Sequence, residues 1–287
     1  MKKFVFCECG SGKPKDDCCA PQIRVQMKHF SGLDERKEFI KKIEISSQFN
    51  LRYRGLFAFY IDDLIEYKQE RPTSHSRNEF LTILGKYLTE YLEDDCPSSW
   101  INCEPTFWEE LLFSFYPFRI KITPKEKEVE QFLVELKKFT RKLDKKYGSS
   151  FKPLVDKIIE ESSEELIKCE HLLNRLFIDQ YPRIHHKDWN PQLEIKKHHQ
   201  KLDKCHETIE SVFEVTNLNG PIIVVSTLDT NLSYFIKGLP YEMISVGDLF
   251  SGGIGKKKDE WIWTWILTQS VFPPRAKKFF SQVMITI

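Results

Sequence analysis

The chain has 287 residues, 41% of them hydrophobic and 30% charged, and its formal net charge at pH 7 is +1. This balance excludes a general electrostatic attraction to nucleic acid or acidic lipid, although it leaves local patches open. No apolar run approaches the ~20 residues that a membrane-spanning helix needs, and the apolar stretch after Lys3 is too short for a signal peptide. We therefore expect a cytoplasmic protein without membrane contact, folded into one large or two modest domains.

Cysteines are concentrated at the start of the chain, where four of the eight form a Cys-x-Cys pair followed, after eight residues, by a Cys-Cys pair. Zinc takes four thiolate ligands at the corners of a tetrahedron. Gly10 and Gly12 lie between the pairs and let the backbone turn back, because glycine reaches positive φ at little steric cost. Two disulfides are the alternative, but disulfides are rare in proteins that are not exported. The spacing predicts one structural zinc ion bound by Cys7, Cys9, Cys18 and Cys19.

The same segment resembles the SEC-C motif, which is the zinc-binding tail of the SecA preprotein translocase motor. The resemblance covers about residues 4–21 and rests on the run Cys-Glu-Cys-Gly-Ser-Gly-Lys followed by Cys18-Cys19. It implies that the four cysteines are the zinc ligands. Because the motif of SecA contacts a chaperone and the ribosome, the resemblance also implies a protein or ribosomal partner. Glu8 and Asp16-Asp17 stand where the motif usually has a proline and a basic or polar pair.

Helical periodicity dominates residues 22–211, which we interpret as an all-helical domain. Pro105 is typical of a first helical turn, and Thr123-Pro124 followed by Glu126 has the pattern of a capping box. Gly148 is a typical helix stop. We expect helices over residues 34–49, 51–67, 78–92, 105–116, 124–147, 151–181 and 190–211.

The period changes at residue 212, after which Phe213 and Val215 alternate with polar residues. Asn219-Gly220 is a strong signal for a two-residue hairpin turn. Residues 212–287 are therefore predicted to form a small antiparallel β unit, with a short terminal helix opened by Pro273-Pro274. The expected strands lie at residues 213–215, 222–226, 232–237, 241–246 and 261–265.

The predicted fold class is therefore α+β and mainly α. Its parts are a zinc knuckle (residues 1–21), a helical domain (22–211) and a β unit (212–287). A helical block followed by Phe213-Glu214-Val215 and by the run from Val246 to Gly252 resembles the body of larger bacterial SEC-C-containing proteins. That second resemblance implies a shared architecture and a bacterial setting.

Histidines and cysteines recur between residues 169 and 206 and form a second candidate metal site. Residues 198 and 205, like residues 199 and 206, are seven apart, so each pair would share one helix face. Metal ligands on helices usually have tighter spacing, and a solvated histidine-rich face is the simpler interpretation. The residues concerned are Cys169, His171, His185, His186, His198, His199, Cys205 and His206.

Two further features are candidates for nucleic-acid contact. The helix segment 137–146 carries six basic residues and one acid, which would follow a phosphate backbone or form an ordinary solvated face. Trp261, Trp263 and Trp265 alternate and would place three indoles on one strand face, either as a stacking platform for bases or as core. The glycine-rich stretch 252–255 and the lysines after it would bind an anion or, in the simpler interpretation, form a flexible solvated loop.

These features lead to three functional hypotheses. The first is a non-enzymatic adaptor, in which a structural zinc ion shapes a recognition surface for a protein or ribosomal partner. The second is a nucleic-acid-associated protein that uses the basic segment 137–146 and the tryptophan strand, and it requires these to share a face with the lysines at 256–258 and 277–278. The third is an enzyme with its site among the histidines, which no residue spacing supports.

Overall fold

The structure, a computed structural model, describes residues 27–194, 196 and 205–283, and for residues 281–283 it describes the backbone alone. The predicted zinc knuckle, residues 1–21, lies outside these residues. The chain divides after Lys41 into two units, and the second, residues 42–287, contains all five strands. Helices dominate the described chain up to residue 180 and strands follow from residue 207, so the predicted α+β class is confirmed.

The helices of the described chain are α1 (Leu33–Ser47), α2 (Ile61–Glu70), α3 (His75–Lys86), α4 (Pro105–Glu110), α5 (Glu128–Tyr147), α6 (Phe151–Gln180) and α7 (Lys277–Val283). The strands are β1 (Glu207–Asn219), β2 (Ile222–Thr227), β3 (Ser233–Lys237), β4 (Leu249–Lys256) and β5 (Trp263–Phe272). Two π-helical turns, Tyr87–Tyr91 and Leu111–Phe115, extend α3 and α4.

The helix expected over residues 51–67 is wrong in its first half. Tyr53–Phe57 is a short 3₁₀ helix, and the extended Ala58 after it, with ψ of 158°, separates it from α2. Gly55 is a poor helix former. Its backbone is also closely packed, since a Cβ there would lie 3.1 Å from the side chains of Leu51 and Thr89. Tertiary packing therefore decides the conformation of this stretch.

Helices α5 and α6 cap each other's first turns. Glu170 of α6 accepts hydrogen bonds from the backbone N–H groups of the first two residues of α5, at 2.8 and 3.1 Å. Asp144 of α5 accepts two from the first two residues of α6, at 2.7 and 2.8 Å. The predicted capping box at Thr123 is wrong, because α5 begins at Glu128 and takes its cap from the other helix. The predicted stop is confirmed, since Gly148 follows α5 with a φ of 66°.

An aromatic core holds the helices of the second unit together. The rings of Trp100 and Trp108 stack with centroids 6.3 Å apart. Phe139 meets Trp100 and Tyr67 edge to face, at 5.5 and 5.2 Å. Trp100 also donates from Nε1 to the buried carboxylate of Asp63 at 2.9 Å. The large rings supply apolar burial, and the indole N–H has the partner that a buried polar group needs.

The five strands form a closed barrel in the order β1-β2-β3-β5-β4. Four of the strand contacts are antiparallel. The fifth, between β3 and β5, is parallel and joins Ile236 to Trp263 and Lys237 to Thr264, which corrects the wholly antiparallel unit expected. Closure matters because a barrel leaves no strand edge open for pairing with another chain. Its interior is filled by buried apolar side chains that include Phe213, Val215, Ile223, Val225, Ile236 and Ile254.

Three segments of the β region differ from their predictions. Residues 207–211, expected to end a helix, begin β1 and pair with β4. The start of that expected helix is helical, at residues 191–194 and 196. Tyr241–Met243, within an expected strand, is a 3₁₀ turn. Residues 252–255, expected to be a loop, lie within β4. Glycine is required there, since a Cβ on Gly252 would lie 2.0 Å from the Leu267 carbonyl oxygen.

Two ion pairs fix the barrel to α6. Lys168 donates from Nζ to Asp248 Oδ2 at 2.6 Å and to Ser245 Oγ at 2.8 Å. Arg275, which follows β5, makes two hydrogen bonds with the carboxylate of Glu165, at 2.9 and 3.0 Å. Asp248 is buried, and Lys168 compensates the charge of its carboxylate. The helices and the barrel are therefore joined by specific polar contacts as well as by apolar packing.

Candidate functional site

Most cysteines in the described part of the chain are poor metal ligands. Burial raises the pKa of Cys96 to about 11 and that of Cys103 to about 12. Burial also raises the pKa of Cys169 well above its usual value. These thiols therefore stay protonated at neutral pH, whereas zinc is bound by thiolates. Outside the described residues lie the four predicted zinc ligands, Cys7, Cys9, Cys18 and Cys19.

The second half of the predicted histidine site is not on a helix. Cys205 and His206 directly precede β1, and the backbone N–H of His206 donates to the carbonyl of Lys256 in β4 at 2.8 Å. These two residues therefore cannot share a helix face with His198 and His199, which lie outside the described residues. The helix expected to reach residue 211 is wrong at residues 205 and 206, because pairing with β4 begins at Glu207; the candidate metal site was the less favoured interpretation.

In the described chain, His171 lies on α6, whereas His185 and His186 lie in the loop that follows it. His171 on α6 pairs with Glu126. His185 and His186 are exposed in the loop after α6. Within the ranges that the structure describes, no group of three His, Cys, Asp or Glu side chains is placed to hold a metal ion.

The basic segment 137–146 is largely neutralised by neighbouring acids. Four of its six basic side chains contact carboxylates, and two of these contacts, at 2.5 and 2.8 Å, reach acids on α2. A lysine held in this way must give up its partner to bind a phosphate, so α5 offers less positive charge than its sequence indicates. The pairs are Lys137–Asp156, Lys138–Glu135, Lys142–Glu70 and Lys146–Asp63. At the other end of the chain, similar pairs are Lys277–Glu214 and Lys278–Glu109.

The three tryptophans do not share one exposed strand face. β5 begins at Trp263, and both Trp263 and Trp265 are buried. The ring of Trp265 lies 5.7 Å from that of Phe213, and its Nε1 donates to Thr268 Oγ1 at 2.8 Å. Trp261 precedes the strand, in the loop between β4 and β5, and is 94% exposed. The platform of three indoles is therefore wrong, because two of them belong to the core.

A second exposed aromatic side chain lies on the strand next to Trp261. On β3, Ile236 is buried in the barrel and the ring of Tyr234 contacts Trp263 at 5.3 Å. Phe235 between them faces outward and is 56% exposed. Its neighbour Ile236 pairs in parallel register with Trp263, two residues after Trp261. Phe235 was not among the predicted site residues, although the period-two alternation of the predicted strand 232–237 places it on the face opposite Ile236.

Exposed lysines accompany these two rings. Lys257 and Lys258 lie in the loop after β4, and Lys237 ends β3, where it pairs with Thr264. Lys256, by contrast, contacts Glu207 at 3.1 Å. We name as the loop patch the five exposed residues Phe235, Lys237, Lys257, Lys258 and Trp261.

No protein-family model, curated protein or solved structure matches the chain. In the described ranges, none of the helices has the length and apolar character needed to cross a bilayer.

Proposed function

We propose that this protein is a non-enzymatic adaptor whose N-terminal segment binds one structural zinc ion through Cys7, Cys9, Cys18 and Cys19. The observation that carries the proposal is their spacing in the sequence, which gathers four sulfur donors in the short run 7–19. Four sulfur donors match the tetrahedral coordination of a structural zinc ion. Four protein ligands leave no coordination position for a substrate, so the ion would hold the segment in shape and would not act as a Lewis acid.

The chemistry of the other cysteines supports this ligand set. Cys96, Cys103 and Cys169 belong to the packed body, and burial raises the pKa of each thiol. Zinc binding by any of them would require removal of a proton that their surroundings retain. The N-terminal cysteines are close together in sequence and form the more suitable set.

The adaptor surface would lie between the two ligand pairs, on residues 10–17. With Glu8, this stretch carries three acids against the two lysines Lys13 and Lys15. A surface without excess positive charge favours a protein over nucleic-acid phosphates as its direct contact, because like charges across an interface weaken binding. The partner class proposed is therefore a protein, free or part of the ribosome.

Metal content of the full-length protein tests the zinc site. Protein purified without added metal is expected to contain one zinc ion per chain by elemental analysis. Cys18→Ser is expected to lose the ion, because three thiolates and a hydroxyl bind zinc much more weakly than four thiolates. Cys96→Ser is the matched control and is expected to keep it. Wild-type protein without zinc would overturn the proposal.

Partner binding is tested separately. Immobilised full-length protein is exposed to cell lysate and to purified bacterial ribosomes, with and without nuclease. A partner that binds wild type and Cys96→Ser, resists nuclease and is lost with Cys18→Ser is the expected result. Partners that bind Cys18→Ser as well as wild type would show that the zinc segment is not the contact surface.

A further inference from the structure

We propose that the barrel carries a binding site for single-stranded nucleic acid at the loop patch. The site is independent of the zinc segment and consists of two exposed aromatic rings, Trp261 and Phe235, and three lysines. It replaces the basic segment 137–146, four of whose six basic side chains contact acids, and the platform of three tryptophans, two of which are buried.

The exposure of Trp261 is the first argument. An indole that is 94% exposed gains no burial from the fold, so it does not contribute to the core as Trp263 and Trp265 do. Every nucleobase presents an aromatic face, and an exposed ring is a stacking surface for it. Phe235, on the outer face of β3, is a second exposed ring of the barrel and is 56% exposed. Each of the two rings is a stacking surface for an unpaired base.

The position of the lysines is the second argument. Among the residues that the structure describes, no ion pair joins Lys237, Lys257 or Lys258 to a carboxylate. They differ in this respect from α5, where four lysines of segment 137–146 contact acids. Their ammonium groups are therefore free to meet a phosphate backbone while bases contact the rings.

The loop is held by local contacts that position its side chains. The backbone N–H of Glu260 donates to the carbonyl of Lys257 at 3.2 Å, which closes a turn directly before Trp261. Asp259 in that turn adopts a φ of 69°, a left-handed conformation that aspartate tolerates better than most residues. Trp261 therefore follows a defined turn and enters a paired strand two residues later.

A single strand is the form of nucleic acid that fits this patch. In a duplex the base faces are covered by stacking, so exposed rings cannot reach them, whereas unpaired bases can lie on exposed aromatic side chains. With three lysines, the site would neutralise at most three phosphates. The logarithm of affinity should then fall with the logarithm of salt concentration with a slope of about −2.

Fluorescence anisotropy of labelled oligonucleotides with the full-length protein tests the site. The probes are a twelve-residue oligothymidylate, the matching oligouridylate, a duplex of the same length and an oligoglutamate of equal charge. Trp261→Ala and Phe235→Ala are each expected to weaken oligothymidylate or oligouridylate binding about tenfold, the effect of removing one stacking ring. Lys257→Glu with Lys258→Glu should reduce the salt slope. Tyr53→Ala, an exposed aromatic of another part of the chain, and Lys157→Glu are the matched controls.

Three results would overturn the proposal. One is the absence of binding by wild type to either single strand. Another is that Trp261→Ala binds oligonucleotide as tightly as wild type and the control Tyr53→Ala do. The third is equal binding of the oligoglutamate, which would show a peptide or simple charge site. Cys18→Ser is expected to bind oligonucleotides as wild type does, so this inference and the proposed adaptor function can fail separately.

Discussion

Lys168 on α6 and Asp248 before β4 form an ion pair of 2.6 Å across 80 residues of sequence. Asp248 also accepts the backbone N–H of Ser245 at 2.8 Å, and Lys168 donates to the hydroxyl of the same serine. The pair therefore orders the turn that leads into β4 and fixes it to the longest helix of the described chain. The helical block and the barrel share this polar contact within one compact unit.

Asp248→Ala should lower the free energy of unfolding by about 2 kcal/mol, because it removes two hydrogen bonds from a buried carboxylate and leaves Lys168 without its partner. Urea unfolding followed by circular dichroism measures the change. Glu242→Gln, at an exposed position of the preceding turn, is expected to change stability by less than ~0.5 kcal/mol. Equal effects of the two substitutions would show that the ion pair contributes nothing specific.

Glu170 should make stability fall as pH rises. Burial raises its pKa above the usual value, although the two N–H bonds from α5 act in the opposite direction. The folded state then binds the proton more tightly than the unfolded chain, so this contribution is complete below the unfolded pKa and is lost as pH rises through the folded pKa. The stability of wild type minus that of Glu170→Gln should be smaller at pH 8 than at pH 4, measured by urea midpoints. A difference that grows with pH would contradict the prediction.

Glu135 should show the opposite pH dependence. Burial acts to raise its pKa, but hydrogen bonds from Lys138 and Tyr67, at 2.7 and 2.8 Å, outweigh it and the pKa is lowered. Its contribution is therefore present above the unfolded pKa and lost as pH falls through the folded pKa. Calorimetry should find Glu135→Gln less stable than wild type at pH 7 by ~1–2 kcal/mol. The two proteins should converge near pH 3, and a constant gap would contradict this assignment.

Gly252→Ala should damage the barrel severely. The new Cβ would lie 2.0 Å from the Leu267 carbonyl and 2.7 Å from the ring of Trp265, and neither backbone nor buried indole can move freely. We expect a loss of at least ~3 kcal/mol or failure to fold, since overpacking of a rigid site exceeds the usual cost. Gly32→Ala, where no atom lies within 4 Å, is the control, and the yield of folded protein and its thermal midpoint compare the two.

Zinc removal should leave the body intact. All six tryptophans lie at residue 100 or beyond, within the second unit, so their fluorescence reports on that unit alone. Treatment with a chelator is expected to remove the proposed zinc ion while the tryptophan spectrum and the unfolding midpoint stay unchanged. A shifted midpoint would mean that the metal site and the body are energetically coupled.

Local signals predicted much of the chain and long-range contacts account for most errors. Pro105 and Gly148 mark a helix start and a helix stop as expected, because a proline ring or a left-handed glycine acts within a few residues. The hairpin after Asn219 is confirmed, with Gly220-Pro221 as its two linking residues. The start of α5 was misplaced because its cap, Glu170, is supplied 42 residues further along.

The candidate sites show the same division. Alternation correctly placed Trp263 and Trp265 on one face, but the pattern contains no information on whether that face points into a barrel or toward solvent. The positive charge of α5 was overestimated, since the acids that neutralise Lys142 and Lys146 lie on α2, about 70 to 80 residues earlier. Pairing at that distance cannot be seen in a charge pattern.

The parallel contact between β3 and β5 determines how the barrel assembles. Hairpins β1-β2-β3 and β4-β5 form from neighbouring segments, whereas β3–β5 pairing joins residues 27 positions apart through two aligned pairs. Closing a longer loop costs more chain entropy than closing a hairpin, so it should follow the hairpins in folding. The β1–β4 contact joins residues 35 to 49 positions apart, but it does so through eight aligned pairs. The two-pair β3–β5 seam has fewer pairs to hold it and should open first. Amide hydrogens at this seam should therefore exchange with solvent earlier than those between β1 and β4.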